Sequence, residues 1–435
     1  MTRRRILFLT VALLLVGARP ARAAERPRVL VVGVDAGEWS VLGPLLDQGR
    51  CPNFSRLRAQ GSAGKLRSFV PLTRSPVIWA SIATGKTPDK HGVLDFLVRA
   101  ERPDAEGTPA RAARGIQRPR PMTSNLWKAR PVWKILGALN HTVGVVGWWT
   151  TWPAQPVNGV LVSDYVQYDS QWEKGGSRLA YPDSLTPMVQ RLRRTARSVS
   201  WAEIFQFVSP IDTTHVTDRQ REIVENLKSF YAADLTFYRV AMELYRKRHP
   251  DFFTVYFRGV DEVSHMYWDA ATDRHWNPPL TKAELAWIKP LIPNYYIFTD
   301  RLLGGLMREA GAGTDIIVCS DHGFGGGGQG VMAHKPDGII FMAGPHVVKG
   351  GNISGATVLD ITPTILAMYG LPTARDMDGR PIPGGLDEAL LKRMARETRL
   401  LTYEPARTAS EGEEPVRSPV DQELRERLRS LGYIQ

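Results

Sequence analysis

Three unbroken apolar runs, each leading into an acidic residue, set the tightest limit on how this chain folds. They are "RVLVVGVD", ending at Asp35, "FFTVYF", followed by Asp261, and "DIIVCSD", ending at Asp321. A continuous apolar run suits a strand covered on both faces, as in a parallel sheet sandwiched by helices. Helical patterns lie between the runs. "CPNFSRLRAQGSAG" reads as a short helix closed by glycine. Glu222 to Arg248 carries Ile223, Leu227 and Phe230 at helical spacing, with His249-Pro250 as its stop. Another helix is expected from Asn294 to Glu309, and "DITPTILAMYGLP" opens one at Asp360. "KLRSFV", "HTVGVVGW", "VNGVLVSDYV" and "GIIFMAGP" read as further strands. Alternating strands and helices give an α/β class with a largely parallel central sheet flanked by helices. No internal repeat interrupts this order.

The first 23 residues, "MTRRRILFLTVALLLVGARPARA", pair three arginines with a short apolar run and a small-residue cleavage site. That is the pattern of a signal peptide, and it predicts an exported, periplasmic or extracellular protein. The apolar run is short for a bilayer span. The leader holds five arginines and no acids, so its removal takes the formal charge from +12 to +7. A basic mature chain suits anionic substrates. No Lys/Arg block suggests a nucleic-acid tail, so no specific nucleic-acid binding is expected. The two cysteines, Cys51 and Cys319, read as free packed thiols, and no CxxC metal motif exists. The expected organisation is a leader at 1–23 and a catalytic domain at 24–399, with a polar surface loop or insertion at 99–130. A polar tail with a short terminal helix, "LRERLRSLGYI", follows at 400–435.

In parallel α/β sheets, ligands bind beyond the carboxyl ends of the strands. Asp35, Asp261 with His265, Asp321 with His322, and His334 in the following loop all belong at that edge. Any one Asp there is most simply a turn or cap residue. Six groups at one edge point instead to metal. Oxygen and imidazole donors without thiolates suit Zn²⁺ best, with Mn²⁺ or Fe as alternatives, and match a Ca²⁺ cage poorly. Six ligands exceed one tetrahedral ion and fit two divalent ions, which can clamp both oxygens of an in-line displacement.

Ser75, in "SPVIWASIATGKTPDKHG", precedes Pro76 and reads as a helix N-cap. A cap hydroxyl also lies where backbone N–H groups bind anions, and a neighbouring metal would activate it as a nucleophile and ligand. His91 reads as a structural tie in its turn, and Lys86 and Lys90 as solvated or facing an anionic substrate. Trp148, Trp149 and Trp152 read as core. "GFGGGGQGVM" lacks the Lys-Ser/Thr pair of a P-loop and reads as a linker between His322 and His334.

The motifs "VVGVD", "SPVIWASIATGKTPDKHGVLDF", "GVDEVSH", "SDHGFG", "HKPDGIIFMAGP" and "DITPTILAMYGLP" resemble, in order, those of the type I phosphodiesterase/nucleotide pyrophosphatase branch of the alkaline phosphatase superfamily. The resemblance implies an alkaline-phosphatase-like fold, two metals, usually zinc, and a small phosphoester substrate. It implies that Asp261, His265 and His334 hold one ion and Asp35, Asp321 and His322 the other, with Ser75 between them where most members carry Thr. Two departures stand out. Phe96 occupies the position of an Asn that helps hold a phosphate oxygen, and Ile78 replaces another Asn. The sulfatase signal, Pro at plus two and Arg at plus four, is broken by Val77 and Trp79. The expected activity is phosphodiester or pyrophosphate hydrolysis through phospho-Ser75. Monoesterase, phosphonate hydrolase and phosphotransferase chemistry are the alternatives. A dead binding scaffold would lack ligands, and all six are present.

Overall fold

Nine strands form one mixed sheet: β1 (Arg28–Val34), β2 (Ser62–Arg67), β3 (Val143–Val146), β4 (Gly159–Val162), β5 (Ala180–Tyr181), β6 (Phe252–Phe257), β7 (Thr314–Cys319), β8 (Asp337–Ala343) and β9 (Gly351–Thr357). Their order is β9-β2-β8-β7-β1-β6-β3-β4-β5. The computed structural model describes residues 26–98, 119–175, 177–270, 278–327, 330–396, 400–405 and 415–434. The leader and residues 99–118 of the expected insertion lie outside them. Within residues 119–130, Met122 and Ala129 are buried, Arg120–Pro121 pairs with Leu97–Val98, and most of the others are partly exposed.

The pairings β9/β2, β7/β1, β1/β6, β6/β3 and β3/β4 are parallel, while β8 runs antiparallel to β2 and β7, and β5 to β4. The sheet is thus largely parallel, as its apolar runs predict. β1 lies between β6 and β7, with Gly33 level with both Tyr256 and Cys319. All three strands are buried along almost their whole length. Five helices matter for the site: α1 (Ser75–Thr84), α2 (Asp218–Arg248), α3 (Gly259–Tyr267), α4 (Leu291–Ala310) and α5 (Asp421–Ser430). The strand expected at "KLRSFV" ends earlier, at Arg67. Among the described residues, no helix is long and apolar enough to cross a membrane. Cys51 and Cys319 are buried and unpaired.

Helix α1 is buried on every side. Its Trp79 ring lies over β1, so close that a Cβ on Gly33 would come within 2.9 Å of it. The same ring meets Trp148 and Tyr256 edge-on, both at 5.0 Å. The tryptophans of "GWWTTW" are buried, as expected. Of the lysines after α1, Lys90 is exposed, as expected, and pairs with Asp378 at 2.5 Å. Lys86 is not solvated: it is buried in an ion pair with Asp376 at 2.7 Å and Glu404 at 2.8 Å, and holds chain segments together.

His91 is fully buried and holds the turn after α1. The Val93 N–H donates to its Nδ1 at 3.1 Å, so its Nε2 carries the proton and donates to Ser81 Oγ at 2.9 Å. Burial lowers its pKa to about 4, from 6.5. As pH falls, the unfolded chain takes up the proton first. The stability contributed is complete above 6.5 and lost down to 4, amounting to about 3 kcal/mol. The deficit of His91→Gln relative to wild type should therefore shrink by up to about that amount across this window in urea unfolding. Parallel pH–stability curves for the two chains would refute the assignment.

Candidate active site

Asp35 directly follows β1, Asp321 and His322 follow β7, and Asp261 lies in the first turn of α3 just beyond β6. Because these strands are adjacent and parallel, the three carboxylates emerge at one edge. His265 follows Asp261 by one helical turn and shares its face. A short antiparallel pair, Gly323–Phe324 with His334–Lys335, returns His334 to the same edge. All six residues expected from the sequence therefore meet.

They form two donor groups. In the first, His265 Nε2 and His334 Nε2 are 2.9 Å apart, and Asp261 Oδ1 lies 3.3 and 3.5 Å from them. In the second, His322 Nε2 lies 3.4 Å from Asp35 Oδ1, 3.3 Å from Asp321 Oδ2 and 3.3 Å from Ser75 Oγ. His322 is also within reach of Asp261 and His334, so the groups adjoin. Donors at bond lengths of 2.0–2.1 Å around a tetrahedral ion stand about 3.3 Å apart, which fits both groups.

The electrostatics also call for cations. Asp35 Oδ1, Asp261 Oδ1 and Asp321 Oδ2 are buried without hydrogen-bond partners. Among the described residues, only histidines lie within ion-pair distance of these carboxylates. Burial, reinforced by Asp261, raises the Asp35 pKa, and burial with Asp35 pushes Asp321 far above the usual range. Burial also opposes ionisation of Asp261, yet facing His265 holds its carboxyl well below that range. Burial and His322 lower His334 to about 3, which keeps its ring neutral and ready to ligate. Two buried His/Asp groups can thus each hold a metal ion.

Ser75 is not the N-cap. Arg74 takes that position without a side-chain cap bond, and Ser75 and Pro76 are the first two helical residues. The Ser75 hydroxyl is thereby free to face His322 at 3.3 Å, buried at the N-terminus of α1.

A second layer orients these groups. His322 Nδ1 donates to the Gly323 carbonyl at 3.0 Å, which turns Nε2 into the site. Tyr256 donates to Asp35 and accepts from Trp149 Nε1 at 2.7 Å. Ser320 Oγ accepts from the Gly37 N–H at 2.7 Å and donates to the His322 carbonyl at 2.6 Å, tying the ends of β1 and β7 together. Asp234 of α2, fully buried, accepts from the N–H groups of Arg258 and Gly259 at 3.0 and 3.1 Å and from Tyr295 of α4 at 3.1 Å. It anchors the start of α3. Gly259 must lack a side chain there, since a Cβ would fall 1.9 Å from Tyr295 Oη.

The sequence reading missed four lining residues. Arg258 and Glu262 form a 2.5 Å ion pair, and Arg427 of α5 meets the same Glu262 at 2.5 Å. Tyr433, just after α5, is buried beside Phe96 with its hydroxyl 2.9 Å from His265. The supposed polar tail carries Leu424, Leu428 and Leu431 at helical spacing, a signal that this helix needs a partner surface.

The sequence profile described as "Type I phosphodiesterase / nucleotide pyrophosphatase" matches residues 29–359. The chain belongs to this family. Its largely parallel α/β sheet is the fold class expected from the sequence. No curated protein matches the chain significantly. Among solved structures, it is similar to human ectonucleotide pyrophosphatase/phosphodiesterase 5, at 13% identity and TM-score 0.46, covering 82% of this chain and 100% of that one. It is similar to the phosphonoacetate hydrolase of Sinorhizobium meliloti at 17% identity and TM-score 0.40, covering 68% and 56%. A 2-O glycosaminoglycan sulfatase aligns at 12% identity and TM-score 0.48, covering 82% and 73%.

The anchoring of α3 in this family member is testable. Asp234→Ala leaves two backbone N–H groups and a tyrosine hydroxyl unpaired in the interior, a cost of about 1–3 kcal/mol for each group that water does not reach. The expected loss in urea unfolding is about 3 kcal/mol. A loss below about 1 kcal/mol would show that Asp234 does not hold α3.

Proposed function

We propose that this chain is an exported two-metal phosphoesterase that cleaves phosphodiester or pyrophosphate bonds through a covalent phospho-Ser75 intermediate. The observation that carries the reading is the Ser75 hydroxyl, left uncapped at a buried helix N-terminus and 3.3 Å from His322 at the junction of the two donor groups. Family membership supports phosphoester chemistry. Export rests on the leader-like residues 1–23.

Asp261, His265 and His334 would hold one ion, and Asp35, Asp321 and His322 the other, with zinc the best match to the donors. Bound there, the ions would supply charge stabilisation for the nucleophile and the phosphoryl oxygens. The protein's own part is positioning, which dominates phosphoryl transfer. Ser75 Oγ attacks phosphorus in line. The bond to the leaving oxygen breaks, and that oxygen takes up, in net, the proton Ser75 gives up and departs as the alcohol or phosphate product. Water then attacks the phospho-Ser75 phosphorus from the vacated side, releasing phosphate or its monoester and restoring the hydroxyl.

Val77 and Trp79, where a sulfatase signal would need Pro and Arg, are buried core residues, which favours phosphoester over sulfate ester. Phe96 is buried in the site wall, 5.5 Å from Trp149 between ring centres, so no side-chain amide serves phosphate at that position.

Elemental analysis should find about two transition-metal ions per chain, the number the two donor groups hold. Ser75→Ala should reduce turnover of a chromogenic phosphodiester at least about 100-fold while leaving metal content within error. A metal-free yet fully active protein would sink the reading. So would undiminished turnover in Ser75→Ala. Parallel assays on a diester, a monoester and a sulfate ester should rank the diester first.

A further inference from the structure

The first donor group has three protein ligands where the second has four donors including Ser75. A catalytic tetrahedral site keeps its fourth corner open for water or substrate. Here that corner is filled from within the chain. Tyr433 Oη lies 2.9 Å from His265 Nε2, 3.1 Å from His334 Nε2 and 3.4 Å from Asp261 Oδ2. The two imidazole separations match the 2.9 Å between those nitrogens, and the carboxylate is met through its other oxygen, Oδ2, rather than the Oδ1 that lies 3.3 and 3.5 Å from the histidines. The hydroxyl thus stands beside all three residues, at about donor spacing from the two nitrogens.

The delivery of this hydroxyl is built into the fold. Helix α5 lays Leu424, Leu428 and Leu431 into the site wall, and Arg427 pairs with Glu262 of α3 at 2.5 Å. The helix ends at Gly432, in the left-handed region at φ 77°, and the Tyr433 N–H returns to the Leu428 carbonyl at 2.8 Å. This is a Schellman-type stop, which reverses the chain and lowers the next side chain into the site. The Tyr433 ring meets Phe96 at 4.9 Å and His265 at 5.0 Å. With α5 seated, a cavity of ≈ 10 Å³ remains above Ser75. That is room for about one water molecule and too little for a phosphoryl group.

We propose that Tyr433 is the fourth ligand of the ion held by Asp261, His265 and His334, and that α5 is a tethered stopper which an incoming phosphate group must displace. The proposal rests on reading those three residues as metal ligands. It predicts that metal loading clamps α5 and that a phosphate anion, taking the same corner, releases it.

The test uses the full chain, wild type and Tyr433→Phe, in metal-depleted, Zn²⁺-loaded, and Zn²⁺-loaded with inorganic phosphate forms. Elemental analysis comes first, and fewer than two bound ions in the loaded wild type would refute the underlying ligand reading. With two bound, hydrogen exchange at residues 421–434 should slow at least fivefold on loading in wild type, but not in Tyr433→Phe. Phosphate should reverse the protection. Loaded with Co²⁺, the two chains should differ in visible absorption, as removal of an oxygen donor requires. Inorganic phosphate should bind Tyr433→Phe at least fivefold more tightly. Exchange that ignores metal would overturn the proposal, as would phosphate that deepens protection or binds Tyr433→Phe more weakly. In those cases Tyr433 is a fixed part of the substrate pocket.

Discussion

Three buried carboxylates forced together at the ends of three adjacent strands are the constraint around which this protein is arranged. Asp35, Asp261 and Asp321 each leave an oxygen without a hydrogen-bond partner, and the ion-pairing neighbours described around them are imidazoles. Such a cluster is costly in a dry interior unless cations or protons neutralise it. Burial raises the pKa values of Asp35 and Asp321, so their charged forms are disfavoured without a cation beside them. A divalent ion held there would favour the charged forms and release their protons.

The packing around the cluster reads as the means of enforcing that closeness. Gly33 lets Trp79 settle on β1, which fixes α1 and hence Ser75. Gly259 lets Asp234 and Tyr295 reach the start of α3, which fixes Asp261 and His265. Ser320 bridges the ends of β1 and β7, which sets Asp35 against Asp321. Each tie acts on backbone at a strand end or helix start, where a shift of a few tenths of an ångström would change donor spacing most. Ligand geometry is thus an outcome of backbone hydrogen bonding as much as of the ligands themselves.

This division explains what was legible in the sequence. The acids at strand ends announced themselves because an unbroken apolar run has one natural reading and its next polar residue marks an edge. His265 and His334 were legible only as imidazoles near that edge, and their grouping with Asp261 came from the family resemblance rather than from spacing. The supports carried no such mark. Asp234 looks like one more polar residue in a 31-residue helix, and only its complete burial reveals the role. Ser75 carried a mark that misled: Ser before Pro is a good cap pattern, yet Arg74 takes the cap position and the hydroxyl faces His322 instead. Lys86 misled in the opposite way, since a lysine in a turn is ordinarily solvated and this one is buried between two acids. Tyr433 lies in a terminus whose charged composition masks three leucines on one face.

On the proposed reading, the two donor groups are each completed by a hydroxyl, and the two hydroxyls have opposite tasks. One is completed by Ser75, held on a buried helix by core packing that does not yield. The other is completed by Tyr433, held by a ten-residue helix docked through three leucines and an ion pair. A group meant to react must stay put, and a group meant to leave must be held weakly enough to go. Local stability differs in that direction, because a ten-residue helix docked on one side opens more readily than an element buried on every side. Phe96 fits the same logic. Its ring packs against Tyr433 at 4.9 Å, so on the proposed reading it favours the seated helix and couples position 96 to α5.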